Sequence, residues 1–269
     1  MNFIALGYED LTLASLLLLF SGLLSMRLKL NMERQIGVAA LRMVIQLMLI
    51  GMVLKILFAM VSPLWTGLAA AIMIAIAGRE AAARQTRKFT GWWTYGLGTS
   101  SLMLAGSLVT VLALTTQIRP EPWFDPRFAL PILGMILGNT MSGVSIGLDR
   151  LLGEAVREKV AVEARLALGH DRASAFRPLV RNAVRAGLMN IINAMSVAGV
   201  VSIPGMMTGQ ILAGVDPTEA VKYQILIMFL IAGSTALGTL AAVVFATRRL
   251  SDNRHRLRLD HLRSDIKES

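Results

Sequence analysis

Cysteine is absent from all 269 residues, which excludes disulfides, thiolate metal sites and cysteine catalysis together. Charge is scarce, at 16% of the chain against 55% apolar residues, so too little polar sequence remains to clothe a soluble fold. Histidine occurs three times, as His170, His255 and His261, each outside the long apolar runs. No G-x-x-x-x-G-K-[ST] phosphate loop is present, so uphill movement of a solute would draw its energy from another subunit. No catalytic constellation appears, which makes a membrane-embedded enzyme the weakest of the functional readings.

What is present is a series of apolar runs, each near the roughly 20 residues that a helical membrane span requires. The runs predict an all-α membrane protein with about seven transmembrane helices in a single domain over 1–269. They cover about Leu11 to Met26, Ile36 to Val61, Leu64 to Gly78, Trp92 to Thr116, Phe128 to Leu148, Ala186 to Ile203, and Asp216 to Thr247. Met1 to Asp10 carries no basic residue and no small-x-small cleavage site follows, so the first run reads as a retained span and not a signal peptide. Ser62-Pro63 and Asp125-Pro126 read as N-cap and first-turn pairs. Asp216-Pro217-Thr218-Glu219 reads as a capping box. Trp92, Trp93 and Tyr95 form an aromatic belt at the start of the fourth run.

The net charge of +10 could signal nucleic-acid binding, but its distribution points elsewhere. Of the 27 Lys and Arg residues, 22 fall in four segments on one side of the seven runs: 27–34, 79–88, 149–185 and 248–269. Only Arg119, Arg127 and Lys222 fall on the other side, with Arg42 and Lys55 inside the second run. The positive-inside rule then places the N-terminus outside and the C-terminus, with its basic tail 248–269, in the cytoplasm of a multi-pass inner-membrane protein. Lipid is the expected surrounding and no nucleic-acid partner is expected.

Ionisable groups inside a span are costly and mark functional positions. Arg42, Lys55, Asp149, Asp216 and Glu219 are such groups here, and Arg42 and Lys55 can also snorkel. In the fifth run Gly134, Gly138 and Ser142 share a face, and Gly143 and Gly147 repeat the pattern; close helix packing explains both, while Asn139 and Met141 are candidates to face a solute path. Pro204 to Gln210 is too rich in Pro and Gly to propagate a helix, so Met206, Met207 and Gln210 read as a gate or solute lining. Gln46, Asn190 and Asn193 complete the candidate polar path. No metal ligand set can be assigned.

Segment 149–185 is helical in pattern, with Leu152, Val156 and Val160 on one side and the pairs Arg150/Glu154 and Lys159/Glu163 at i, i+4 spacing. It reads as a cytoplasmic helical stem ending in a hairpin broken at Gly169. An apolar face on that hairpin suits docking into a partner's groove or resting on lipid.

Glu163-Ala164, followed at the sixth position by Gly169, resembles the coupling loop of ABC importer permeases. The second half departs, since Leu179, Val180, Arg181 and Asn182 stand where that class has Ile-x-Leu-Pro. A closer likeness covers nearly the whole chain. Gly134-Met135-Ile136 through Gly138-Asn139-Thr140-Met141, Leu166-Ala167-Leu168-Gly169, Pro204-Gly205-Met206-Met207-Thr208-Gly209 and Ala220-Val221-Lys222-Tyr223-Gln224-Ile225 resemble the FetB family of ABC-type permeases. That family is associated with iron export, and its plant relatives with aluminium tolerance. The resemblance implies a transport subunit without ATPase activity of its own, working as a homodimer with a cytoplasmic ABC ATPase that binds ATP and Mg. It implies a coupling role for Glu163, Leu168, Gly169, His170, Arg172 and Arg177. The expected function is metal export, iron first. The alternatives are export of an organic or complexed solute such as a nucleotide sugar, or a scaffold without a solute path.

Overall fold

A computed structural model describes residues 7–252 and 256–263. Arg254, His255 and Lys267 lie outside the described residues, as do Met1–Leu6. Among the described residues there are nine α-helices: α1 (Tyr8–Arg27), α2 (Glu33–Met60), α3 (Pro63–Ala83), α4 (Trp93–Leu112), α5 (Pro126–Arg157), α6 (Lys159–Ala167), α7 (Arg172–Val197), α8 (Gly205–Leu212) and α9 (Pro217–Arg249). Six of them, α1 to α5 and α9, are long and apolar enough to cross a membrane. The chain is a multi-pass membrane protein.

The helix starts follow the sequence logic, with one correction. Asp125 accepts a hydrogen bond from the Arg127 amide at 2.9 Å, and Asp216 accepts one from Thr218 at 2.9 Å. The capping box at Asp216 is incomplete, however. Glu219 turns away from the cap to pair with Lys222 at 2.6 Å, one turn further along its own helix. After Leu112 the helix widens to i→i+5 spacing over Ala113–Ile118, where Thr115 and Thr116 hydroxyls donate to the Val111 and Leu112 carbonyls in competition with the backbone ladder.

Helices α3, α5 and α9 run one way and α4 and α7 the other. The register shows in the contacts: Gly78 meets Thr99, Gly106 meets Leu137, and Thr140 shares a 2.9 Å hydrogen bond with Ser234. At the centre α5 and α7 touch backbone to backbone, because a Cβ at Gly187 would lie 2.6 Å from the Gly143 carbonyl oxygen. The packed small-residue face of α5 is therefore Gly143 and Gly147. Gly138 has open space around it and Ser142 borders a groove, which corrects the expectation for those two, while a Cβ at Gly134 would meet Met73 of α3 at 3.3 Å.

The sixth run also changes. Its helix begins at Arg172, within the charged segment, and ends at Val197, while 198–203 form a turn. α7 is too polar to be counted among the six, yet it lies along α5 and α9 for its length. The segment Pro204 to Gln210 is helical after all: Pro204 sits at the N-cap of α8, where its missing N–H costs nothing, and Met206 packs against α9. Gly214 at φ +93° closes that helix.

α5 continues unbroken through Asp149 to Arg157. At 32 residues it is about 48 Å long, against roughly 30 Å of hydrocarbon. The extension is no bare stem. Leu148, Leu151, Leu152 and Ala155 are buried against α7 and the chain's end. Val160 does not continue the Leu152–Val156 stripe; the helix breaks at Glu158, and Val162 is the buried residue of α6 while Val160 is exposed.

The basic segment after α9 folds back on the bundle. The Thr90 amide donates to the His261 carbonyl at 2.8 Å and the Arg263 amide to that of Lys88 at 2.8 Å. Leu257, Leu259 and Leu262 join the core around Phe89, and Arg249 lies over the Trp93 ring at 4.4 Å. Hydrogen bonds from the Arg258 guanidinium hold the Asp260 carboxyl at about 2, down from 3.8. A carboxyl lowered by folding stabilises above its ordinary value and loses that contribution as pH falls through the folded one. Hydrogen exchange at Arg263, corrected for intrinsic rate, should stay constant from neutral pH to 3.8 and quicken only towards about 2. Quickening already complete above pH 3.8 would refute Asp260 as the group that holds the turn.

Candidate functional site

α7 lies among spanning helices while presenting Asn182, Arg185, Asn190, Asn193 and Ser196 on exposed positions. Polar and charged side chains at membrane depth face water-filled space or protein, not lipid. Between this face and α5 runs an open groove of about 830 Å³. Ser142, Ser145, Asp149 and Arg150 border it from α5, Asn182, Arg185, Met189 and Asn190 from α7, and Arg84 from the end of α3.

The electrostatics of the groove are set by a few groups. Asp149 accepts the Thr86 amide at 2.7 Å, which fixes the connection after α3 against α5. Arg150 turns down its helix to Glu154 at 2.6 Å. Among the described residues the Arg84 and Arg185 side chains make no hydrogen bond or ion pair. With Arg150 paired to Glu154, two unpaired guanidiniums, Arg84 and Arg185, share the groove with the one carboxylate of Asp149, an arrangement that attracts anions and repels free cations. No group of three His, Cys, Asp or Glu side chains that could hold a metal ion occurs among the described residues.

A second groove, about 700 Å³, lies between α2 and α3 and meets the first at Arg84. Arg42 enters it and pairs with Glu80. The pair corrects the survey of charged positions, which ended the third run at Gly78 and so omitted Glu80. Arg42 has a partner carboxylate on the next helix and does not merely snorkel.

Of the residues expected along a solute path, Asn190 borders the first groove and Arg42 and Gln46 the second. Asn139 and Asn193 are exposed on α5 and α7, one turn from Ser142 and Asn190, and Asn139 donates to the Met135 carbonyl at 2.9 Å. Met141 packs into the core. Met206, Met207 and Gln210 sit on α8, away from both grooves, with the Gln210 side-chain Oε1 buried and without a partner among the described residues. Sequence reading missed Arg84 and Arg185 as groove residues, since both fall in segments read as loop or stem; Asp149 stood out only as a charge at a span's end.

At the far end of α5, α6 and the start of α7 form a hairpin that carries the residues of the expected coupling segment. Gly169, at φ +86°, ends α6 in a Schellman turn: its amide donates to Leu166 and that of His170 to Arg165, both at 3.1 Å. Glu163, Leu168, His170 and Arg177 are exposed and Arg172 half-buried. Lys159 stands 3.9 Å from Glu163. Arg165 donates to the Ala175 carbonyl at 3.3 Å, tying α6 to α7. Behind the hairpin Glu154 is buried, with Asn182 donating to it at 3.2 Å and the Arg157 guanidinium 3.7 Å away as a loose ion pair; nothing in the sequence marked this carboxylate as more than half of a surface pair.

A helical bundle of this kind, with a polar groove among helices long enough to span a bilayer, is the architecture of a polytopic membrane protein. Residues 8–251 match the family model described as Uncharacterised protein family UPF0014, and the chain belongs to that family. It is 36% identical over 231 residues to UPF0014 membrane protein slr1647 of Synechocystis, covering 85% of this chain and 87% of that one. It is 32% identical over 255 residues to the Probable iron export permease protein FetB of Escherichia coli, covering 95% and 96%. Protein ALUMINUM SENSITIVE 3 of Arabidopsis thaliana is 30% identical over 230 residues, covering 85% and 82%. No solved structure matches the chain.

Proposed function

We propose that this chain is the membrane subunit of an ABC-type exporter, a seven-span permease of the inner membrane with its hairpin and tail in the cytoplasm. The relative named as an iron export permease, matched over almost its whole length, supports iron as the cargo. The observation that carries the coupling role is the hairpin between α5 and α7. Val160 and Leu168 are each 79% exposed there, apolar side chains on an otherwise charged turn, suited to a groove on a cytoplasmic ATPase. ATP binding by that partner would move Glu163 to Arg177, and α5 and α7 would carry the motion to the groove between them. A homodimer would close the open sides of the grooves.

The purified chain alone should hydrolyse no ATP. With its ATPase present, Gly169→Leu should leave expression intact while separating ATP hydrolysis from transport. The αL strain costs only about 1–2 kcal/mol, but the turn re-aims Leu168 and His170. Transport and stimulated ATPase both at wild-type levels would sink the coupling role.

The cationic lining of the first groove favours a second reading of the cargo: a metal already complexed by anionic donors, or an organic anion. Bare Fe²⁺ and an anionic chelate offered to the same proteoliposomes separate the two.

A further inference from the structure

We propose that the groove between α2 and α3 holds the headgroup of an anionic phospholipid. The groove opens at the membrane face where α2 begins and α3 ends. Its mouth carries Arg34, Gln35 and Arg84, and its inner walls are Val38, Met43 and Ile76. Arg42 and Glu80 neutralise each other within it, so the charge left over is that of Arg34 and Arg84. Neither side chain has a hydrogen-bond or ion-pair partner among the described residues.

Two unpaired guanidiniums and an amide at one end match the oxygens of a phosphodiester. The apolar walls deeper in match an acyl chain, which a free phosphate ion lacks. Basic pockets between spanning helices at a membrane surface take anionic headgroups for this reason. The position matters mechanically. α1 and α2 have little buried surface, and their links to the bundle include the Arg42–Glu80 pair and an Arg127 hydrogen bond to the Phe58 carbonyl at 3.4 Å. A lipid seated between Arg34 and Arg84 would add a tie from α2 to α3 at the end opposite Phe58.

The test is native mass spectrometry of the purified full chain, titrated with phosphatidylglycerol or phosphatidylcholine in detergent. Wild type should retain phosphatidylglycerol in preference to phosphatidylcholine. The double variant Arg34→Gln/Arg84→Gln should lose phosphatidylglycerol binding by roughly tenfold or more. Arg34→Lys/Arg84→Lys, which keeps the charge, should hold most of it. Val38→Trp fills the groove with the charges intact and should also weaken retention. Melting temperatures in detergent check folding, and both arginines are exposed and unpaired, so no change is expected there. Wild-type retention in either the glutamine or the tryptophan variant overturns the proposal. So does displacement of the lipid by a molar excess of inorganic phosphate, because the groove would then be a phosphate site without an acyl component.

Discussion

Gly187→Val is expected to cost the bundle most of its folded yield, with a clear fall in melting temperature in detergent. A Cβ at 187 would sit 2.6 Å from the Gly143 carbonyl oxygen and 2.7 Å from Thr239 Cγ2. The first neighbour is backbone and cannot rotate away. The second belongs to a fully buried threonine on α9, itself pressed against Gly143 and Gly147. α5, α7 and α9 would all have to separate. Overpacking of this kind costs about 1–3 kcal/mol for one extra carbon, and valine adds two more in a crowded, β-branched shape. Gly143→Ala should act in the same direction, since its Cβ would lie 2.6 Å from Thr235 Cγ2. Gly138→Ala is the opposite case. Nothing lies within 4 Å of that position, so better helix propensity should stabilise by up to about 1 kcal/mol. A Gly187→Val protein that melts with the wild type would refute the three-helix contact.

That contrast shows where sequence reading stops. Spacing reveals which glycines of α5 share a face, but not which face meets another helix. The answer depends on α7, whose first fourteen residues, Arg172 to Arg185, carry four arginines and read as a soluble segment. Long runs such as Met43–Met60 needed no tertiary information, because apolar length alone determines a span. Gly169 was equally clear, since a helix ending in a left-handed turn favours glycine. α8 was misread because Pro204 and Gly205 were weighed as helix interior when they form its N-cap and first position. Asn190 stood out as polar within an apolar run. Arg84 and Arg185 did not, because charges beyond a span's end are ordinary until the fold brings them around one groove with Asp149.

The second large effect is expected at Glu154, which is 4% exposed and joins α5 to α7 immediately before the hairpin. Its removal takes the partner from three side chains: Asn182, which donates at 3.2 Å, Arg150, paired at 2.6 Å, and Arg157, 3.7 Å away. Breaking a fully buried pair costs about 3–5 kcal/mol. Here both arginines are half or more exposed and can return to water, so Glu154→Ala should lose less, about 2 kcal/mol. Glu154→Gln keeps the shape and a hydrogen bond from Asn182 and should lose less again. The larger consequence is mechanical. With the clamp gone, the segment from Glu158 to Arg172 is held to the bundle by little more than the Arg165 bond and buried Val162. The absence of native cysteine makes this directly measurable. Spin labels on Leu64→Cys and Val160→Cys, both exposed, report the distance from the start of α3 to the hairpin. Glu154→Ala should broaden that distribution, and Glu154→Gln should broaden it less. An unchanged distribution together with an unchanged melting temperature would mean that Leu151, Leu152 and Ala155 hold α5 to α7 without the carboxylate, and that hairpin motion reaches the groove through apolar packing.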